Sequence, residues 1–175
     1  NVVLKVIRAA VCHLATSHAP QEFHMHLIAP QSSYDEWRWM EWLPHTSQMH
    51  QGGGGDLLAF DSDNIHHLLS NLSQVIDERK AHPNSGQLPH LFVIFDGTQL
   101  AEGEPVTRTI LRDGASVGVS AICLVNSVEN APSECHAVVQ VEADGRFQYA
   151  RVGAGSFTRS GRAADELSLQ DAEYV

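Results

Sequence analysis

The chain has 175 residues, a mass of 19.2 kDa and 43% hydrophobic residues, which suits one domain with a sizeable core. Its formal net charge is −10, and this argues against nucleic-acid binding because that affinity comes mainly from neutralised phosphates. The most apolar uncharged stretch, residues 114–128, is shorter than the ~20 residues that a membrane-spanning helix needs.

The first part of the chain predicts a helix, a strand and a short second helix before a loop. Apolar residues recur at three- and four-residue steps through residues 2–15, which indicates a helix. Residues 23–29 alternate apolar side chains with histidines, which is typical of a strand. Residues 34–43 predict an aromatic helix that ends before Pro44, and the glycine-rich residues 46–55 predict a surface loop.

The middle of the chain predicts a short buried strand followed by a long helix. Residues 57–60 form the strand, and Asp61 or Ser62 is placed to cap the helix that follows. The helix carries one apolar stripe, which consists of Ile65, Leu68, Leu69, Leu72 and Ile76. A turn is predicted at residues 83–86.

The remaining elements continue an alternation of strands and helical turns. Residues 91–96, LFVIFD, predict a buried strand, residues 106–111 a helical turn, and residues 117–125 an apolar strand. Residues 136–141 and 147–152 predict a hairpin about an Asp-Gly turn. The segment after these strands is small and polar.

This order of elements predicts an α/β fold with a mostly parallel sheet, helices on both faces and a β-hairpin at the edge. Ligands of such sheets bind beyond the carboxyl ends of the strands. Asp61, Asp96 and Asn126 each stand where an apolar strand ends, and they are therefore the candidate site residues.

The cysteines predict the redox environment of the protein, and the first residue predicts that the chain is part of a longer one. Cys12, Cys123 and Cys135 are an odd number, and the first two lie in apolar runs, which predicts reduced thiols in a cytoplasmic environment. The chain begins at Asn1 in a helical pattern rather than at a methionine, so we expect a piece of a longer protein.

Residues 37–45 read WRWMEWLPH and join three tryptophans to a Pro-His turn. This run resembles the W-x-W-x-x-W-L-P-H signature of the EccC family, the membrane-anchored motor ATPases of type VII (ESX) secretion systems in the FtsK/SpoIIIE superfamily. Three more segments are similar to the first cytosolic domain of that family, in the same order: residues 8–20 (RAAVCHLATSHAP), 89–97 (PHLFVIFDG) and 161–173 (GRAADELSLQDAE).

The resemblance implies a RecA-like (P-loop NTPase-like) domain of unknown function over residues 1–155. Residues 156–175 would be a tail or linker toward the next ATPase module. The implied partners are the adjoining ATPase modules of the same polypeptide, membrane core subunits of the secretion system and neighbouring copies in a homo-hexamer, with no nucleic acid. The implied location is the cytoplasmic side of the bacterial inner membrane.

The resemblance also implies a nucleotide site, with Mg²⁺ and ATP as cofactors. Asp96 stands at the end of the Walker-B-like strand, where a carboxylate holds Mg²⁺, and Asn126 stands at the position of a polar sensor residue. The departure from the pattern is Gly97, which follows Asp96 where an acidic residue is expected. A phosphate loop would have to precede Asn1.

Because Asp96 matches the pattern of a nucleotide site and Gly97 departs from it, two functions are possible. One is a degenerate nucleotide-binding-like domain that couples the membrane complex to downstream ATPase modules in protein export. The other is an active Mg²⁺-dependent ATPase whose non-standard phosphate loop lies upstream of Asn1. Each site residue also has a purely structural alternative: Asp96 as a hydrogen-bond acceptor for a neighbouring loop, Asp61 as a helix cap and Asn126 as a turn cap before Pro132.

Other chemistries are less well supported. Eleven histidines suggest a metal site, but only His24 and His26 share a strand face, so scattered surface histidines are expected and zinc is not. Trp39 and Trp42 share a helix face, which predicts that at least one is in the core. Ser116 lies in a G-x-S-x-G sequence, but that turn precedes a strand, whereas a nucleophile elbow follows one.

Overall fold

The structure is a computed structural model that describes residues 1–47, 57–83, 88–97, 99, 103–152, 158–162 and 166–174. It contains two compact units, one of residues Ala19–Asn126 and one that joins Asn1–His18 to Ser127–Val175. Most of the glycine-rich loop and of the turn predicted at residues 83–86 lies outside the described residues.

The described chain contains five helices and seven strands, together with several 3₁₀ turns. They are α1 (Val2–Ser17), β1 (Phe23–Ile28), α2 (Tyr34–Trp37), β2 (Leu58–Ala59), α3 (Ser62–Ala81), β3 (His90–Asp96), α4 (Pro105–Asp113), β4 (Val119–Leu124), β5 (Ala137–Val141), β6 (Arg146–Arg151), β7 (Thr158–Arg162) and α5 (Leu169–Ala172).

The larger unit is built on a four-stranded parallel sheet in the order β2-β1-β3-β4. Leu27 is paired with Leu58, Met25 with Phe92 and Ile94 with Ile122. β2 has only two residues, so it pairs with the end of β1 and leaves the beginning of β1 without a β2 partner. The parallel α/β fold predicted from the sequence is confirmed.

The core of this unit lies where α3 and α4 pack on one face of the sheet. Alternate strand residues such as Ile28, Val93 and Phe95 meet the apolar stripe of α3 there, and all are buried. Because side chains alternate along a strand, His24 and His26 project from the same face as Ile28. Every residue of β3 from Leu91 to Phe95 is buried, which explains why its sequence is apolar throughout.

The aromatic segment differs from the single helix that the sequence predicts. One turn of α-helix, α2, is followed by a 3₁₀ turn at Arg38–Trp42, and the segment does end before Pro44. The tighter turn divides the tryptophans: Trp37 and Trp39 are 1% exposed, whereas Trp42 is 84% exposed. The expectation that at least one of Trp39 and Trp42 lies in the core is therefore confirmed, and it is Trp39.

The smaller unit contains α1, α5 and an antiparallel sheet in the order β5-β6-β7. The hairpin was expected at the edge of the parallel sheet, but it belongs to this separate sheet. β7 lies in the segment that the sequence predicts to be a polar tail. The sequence did not indicate this strand, because pairing with β6 through backbone hydrogen bonds needs no apolar side chains. Gly161 makes that pairing possible, since a Cβ there would lie 2.9 Å from the ring of Phe147.

The helix α1 begins at a side-chain cap, where the amide of Val3 donates to Asn1 Oδ1 at 3.0 Å. Within the same unit the amide of Leu167 donates to the carbonyl of Lys5, and Lys5 pairs with Glu166 at 3.4 Å. The division into a domain at 1–155 and a tail at 156–175 remains a prediction. Among the described helices, none has both the length and the apolar character that crossing a bilayer requires.

Candidate functional site

The three candidate residues stand at the carboxyl edge of the parallel sheet, as predicted. Asp61 follows β2, Asp96 ends β3 and Asn126 follows β4. Because β1 lies between β2 and β3, Asp61 starts two strands from Asp96, or roughly 10 Å. Asp96 ends β3 in register with Leu124 of the neighbouring strand β4, and Asn126 comes two residues after Leu124.

Asp96 is half-buried and is engaged by a tryptophan of the aromatic segment. The indole Nε1 of Trp37 donates a hydrogen bond of 2.8 Å to Asp96 Oδ2. Trp37 is 1% exposed, so the donor is held in place by its packing. The arrangement is that of a strand-end carboxylate that accepts a hydrogen bond from a neighbouring segment, and no described residue is seen to bond to its Oδ1.

The residue after Asp96 cannot easily carry an acidic side chain. Gly97 has φ of +99°, a conformation that residues with a Cβ rarely adopt. A side chain there would have space, since the nearest atom to a Cβ is 3.8 Å away, so the restriction is conformational rather than steric. The backbone at position 97 therefore favours glycine over a residue with a Cβ, an acidic residue included.

Asp61 is the amino-terminal cap of α3, which was its structural alternative. Its Oδ1 accepts the amide of Asn64 at 3.0 Å, and its other oxygen accepts the side-chain amide of the same residue. The hydrogen bond from the Asn64 backbone is the main reason that the pKa of Asp61 is lowered. Asn126 is exposed, and no hydrogen bond joins it to Asp96 in the part of the chain that the structure describes.

Ser116 is not arranged as a nucleophile. It lies in a 3₁₀ turn before β4, and its hydroxyl donates to the carbonyl of Asp113 at 2.7 Å. The backbone explains why glycine stands at two nearby positions. A Cβ at Gly114 would lie 2.8 Å from the carbonyl oxygen of Val119, and Gly118 has φ of +70°. The G-x-S-x-G letters therefore describe a tight turn into a strand.

The expectation of scattered surface histidines is wrong for two of them. His26 is 5% exposed and His45 is 3% exposed. His26 is buried because the face of β1 opposite Phe23 and Met25 is also covered, in this case by α3. Within the described ranges, no three His, Cys, Asp or Glu side chains come together in a way that could hold a metal ion.

Arg79 is a buried residue that the sequence reasoning missed. Its Nη1 donates to the carbonyl of Val117 at 2.8 Å and its Nη2 to the carbonyl of Pro89 at 2.6 Å. The guanidinium thus joins α3 to the segments that lead into β3 and β4. A signal existed, because position 79 comes three residues after Ile76 and continues the buried stripe of α3.

The fold and this edge define a parallel α/β module with a strand-end carboxylate. No family model matches the chain. Over 62 residues it is 39% identical to the ESX-5 secretion system protein EccC5 of Mycobacterium tuberculosis, which covers 34% of this chain and 4% of that protein. Over 128 residues it is 25% identical to the ESX secretion system protein EccC of Thermomonospora curvata, which covers 72% of this chain and 9% of that protein.

Solved structures of related proteins have the same fold. ATPases 2 and 3 of EssC from Geobacillus thermodenitrificans match 97% of this chain and 39% of that chain, with a TM-score of 0.66 and 15% identity. ATPases 2 and 3 of Thermomonospora curvata EccC, in complex with a signal sequence peptide, match 94% of this chain and 35% of that chain, with a TM-score of 0.61 and 12% identity. The cytoplasmic domain of EssC matches 98% of this chain and 40% of that chain, with a TM-score of 0.51 and 14% identity.

These comparisons show homology between this chain and modules of the EccC and EssC secretion proteins. The chain spans less than a tenth of the length of the curated relatives described above. Two of the solved structures contain ATPases 2 and 3, and this chain covers 39% and 35% of them.

Proposed function

We propose that this chain is the first cytosolic module of a type VII secretion ATPase and that it acts by contact rather than by hydrolysis. In this role it transmits conformational change between the membrane complex and the downstream ATPase modules during protein export. The observation that carries the proposal is the hydrogen bond from Trp37 to Asp96, at the place where an ATPase of this superfamily holds Mg²⁺.

The chemistry of phosphoryl transfer explains why that contact matters. Hydrolysis needs a cation on the phosphates, groups that stabilise the developing charge and a positioned water. At this edge the carboxylate of Asp61 caps α3, one oxygen of Asp96 is already bonded, and Gly97 supplies no acid to orient a water. We expect weak nucleotide binding at most and a turnover lower by orders of magnitude than that of a motor module.

Module contacts in this proposal involve Trp42. It is 84% exposed beside the buried Trp37 and Trp39, and exposed tryptophans are frequent anchors of protein interfaces. The partners are the adjoining ATPase modules, the membrane core subunits and neighbouring copies in a hexamer on the cytoplasmic side of the membrane. The resemblance of residues 37–45 to the EccC signature supports this assignment.

The test is calorimetry and phosphate release with Mg-ATP on this chain and on a longer polypeptide that includes the preceding residues. Asp96→Asn is the informative variant, because it removes the charge and keeps the shape. We expect no turnover in either protein and no change in nucleotide binding on substitution. Micromolar Mg-ATP binding with turnover that Asp96→Asn abolishes would overturn the proposal.

A second candidate function is an active Mg²⁺-dependent ATPase. The likeness of the fold to ATPases 2 and 3 of EssC favours it. Here Asp96 Oδ1 would contact Mg²⁺, Asn126 would contact the nucleotide, and residues before Asn1 would supply the phosphate loop. The longer polypeptide separates the two candidates, since only an active enzyme would show Asp96-dependent phosphate release.

A further inference from the structure

A pocket lies between α3 and the sheet, away from the carboxyl edge. It has a volume of about 690 Å³, which is in the range of small-molecule sites. Residues at or near the beginning of β1 and β3 and residues in the last turns of α3 line it. β3 has seven residues, so the pocket and Asp96 are near opposite ends of a strand that is about 20 Å long. Most of its wall is apolar and consists of Leu57, Leu68, Leu72, Val75, Leu88 and Leu91.

Two buried nitrogen atoms of the pocket residues have no hydrogen-bond partner among the described residues. They are His26 Nδ1 and Arg79 Nε, and the two side chains are 5% and 9% exposed. The other nitrogens of Arg79 are used, since they donate to the carbonyls of Val117, Gly118 and Pro89. A buried polar atom without a partner destabilises the fold, so a partner supplied from outside would be stabilising.

The lining includes one guanidinium, that of Arg79, and one carboxylate, that of the exposed Glu78. No carboxylate of the described chain forms an ion pair with Arg79. Burial lowers the pKa of His24, and the charges at Arg79 and His45 lower it further. The lowered pKa values of His24 and His26 favour the neutral imidazole, so Arg79 is the group that attracts an anion by charge, and a neutral histidine contributes a hydrogen-bond donor.

We propose that this pocket binds an organic anion with an apolar body, of the class of medium-chain carboxylates. The carboxylate accepts hydrogen bonds from Arg79 Nε and from His26 Nδ1 in the tautomer that protonates that atom. The apolar body lies against the leucines of α3 and β3. The inference is independent of whether Asp96 contacts a nucleotide, because it concerns other residues at the opposite end of the sheet.

The first experiment uses 8-anilinonaphthalene-1-sulfonate, which combines an aromatic body with an anionic group. We expect its fluorescence to rise on titration with the chain and to saturate at one site. Sodium decanoate, 1-decanol and decyltrimethylammonium then compete for the site, below their micellar and solubility limits. Decanoate should displace the dye at a concentration about tenfold lower than decanol, which corresponds to one charge-assisted hydrogen bond.

Two variants of α3 test whether the dye binds in this pocket. Val75→Trp places a larger side chain in the wall, and Ser70→Trp places the same side chain at an exposed position of α3. We expect Val75→Trp to lower the affinity for the dye at least tenfold and Ser70→Trp to leave it unchanged. Circular dichroism and urea unfolding check that both variants are folded.

A measurement on the unmodified chain covers the case in which Val75→Trp does not fold. The Nε–H resonance of Arg79 should shift when decanoate is added and should stay in place when decyltrimethylammonium is added. Any of four results overturns the proposal: no saturable dye binding, displacement by decanol as strong as by decanoate, undiminished binding in a folded Val75→Trp variant, or an unmoved Arg79 Nε–H resonance.

Discussion

The indole of Trp37 donates a 2.8 Å hydrogen bond to the carboxylate of Asp96, 59 positions further along the chain. The contact joins the aromatic segment to the end of β3, so two of the segments that resemble EccC meet in space. It also gives a structural reason for a tryptophan at position 37, because tryptophan combines a large apolar body with a single hydrogen-bond donor.

We expect Trp37→Phe to lower the free energy of unfolding by about 2–4 kcal/mol. The phenyl ring keeps most of the packing but removes the donor to a half-buried carboxylate, and a hydrogen bond to a charged group contributes roughly 1.5–3 kcal/mol. Urea unfolding of Trp37→Phe, Asp96→Asn and the double variant measures the coupling between the two residues. Additive effects would show that the contact contributes nothing of its own.

Gly97→Ala should destabilise the chain by about 1–2 kcal/mol, because a residue with a Cβ is strained at φ of +99°. Gly97→Asn should cost less, since asparagine tolerates positive φ better than alanine does. Gly97→Glu restores the acid of the Walker-B pattern, and we expect it to cost at least as much as alanine and to give no ATP hydrolysis. Chemical denaturation and a phosphate-release assay measure the two effects. A stable Gly97→Glu variant with turnover would contradict both expectations.

Arg79→Lys should destabilise the chain by about 2–3 kcal/mol although the charge is kept. A single ammonium group cannot replace the planar guanidinium that reaches the carbonyls of Val117, Gly118 and Pro89 from one position. The matched control is Lys80→Arg at the next, exposed position of α3, where we expect a change within about 0.5 kcal/mol. Equal effects of the two substitutions in urea unfolding would remove the structural role assigned to Arg79.

Stability should fall as the pH falls below about 6.5, in part because of His26. Burial, together with the charges at His24 and Arg79, lowers the pKa of His26 to about 3, so the folded protein keeps this ring neutral while the unfolded chain protonates it. The unfolded state therefore binds the extra proton between pH 6.5 and about 3, at a cost to the fold of up to about 1.4 kcal/mol per pH unit. The destabilisation caused by His26 is absent above pH 7 and reaches its full size below pH 3.

The measurement is urea unfolding at pH 7, 6 and 5 for three proteins. His26→Leu should have a shallower decline than the unmodified chain, because the titrating group is gone. His67→Leu replaces an exposed histidine of α3 and should keep the original decline. Parallel curves for the unmodified chain and His26→Leu would mean that the ring is protonated in the fold.

Trp42→Ala should leave the stability of the chain within about 0.5 kcal/mol but weaken its binding to the adjoining ATPase module at least tenfold. The reason is that Trp42 is 84% exposed and so contributes little to the core. Tyr174→Ala is a control of the same exposure in the smaller unit, and we expect it to bind normally. Isothermal calorimetry with the adjoining module as a separate protein gives the affinities. Unchanged binding of Trp42→Ala would remove Trp42 from the proposed interface.

Much of the fold could be predicted because its signals are local. The apolar repeat of α3, its cap at Asp61 and the apolar run of β3 each report burial over a few consecutive residues, and the structure has all three. The 3₁₀ turn of residues 38–42 was not predicted, since Trp37 and Trp39 are buried by contacts that helical periodicity does not describe. β7 was also missed, because pairing with β6 depends on backbone hydrogen bonds and on the space left by Gly161.

By itself the sequence determined the alternation of strands and helices, and it placed Asp61, Asp96 and Asn126 at the ends of strands. Only the tertiary structure decided that β1 lies between β2 and β3, that Trp37 bonds to Asp96 and that His26 and Arg79 line one pocket. The physical reason is the range of the interactions. Periodicity and capping act over three or four residues, whereas strand order, hydrogen bonds between distant segments and cavities depend on which surfaces meet when the chain folds.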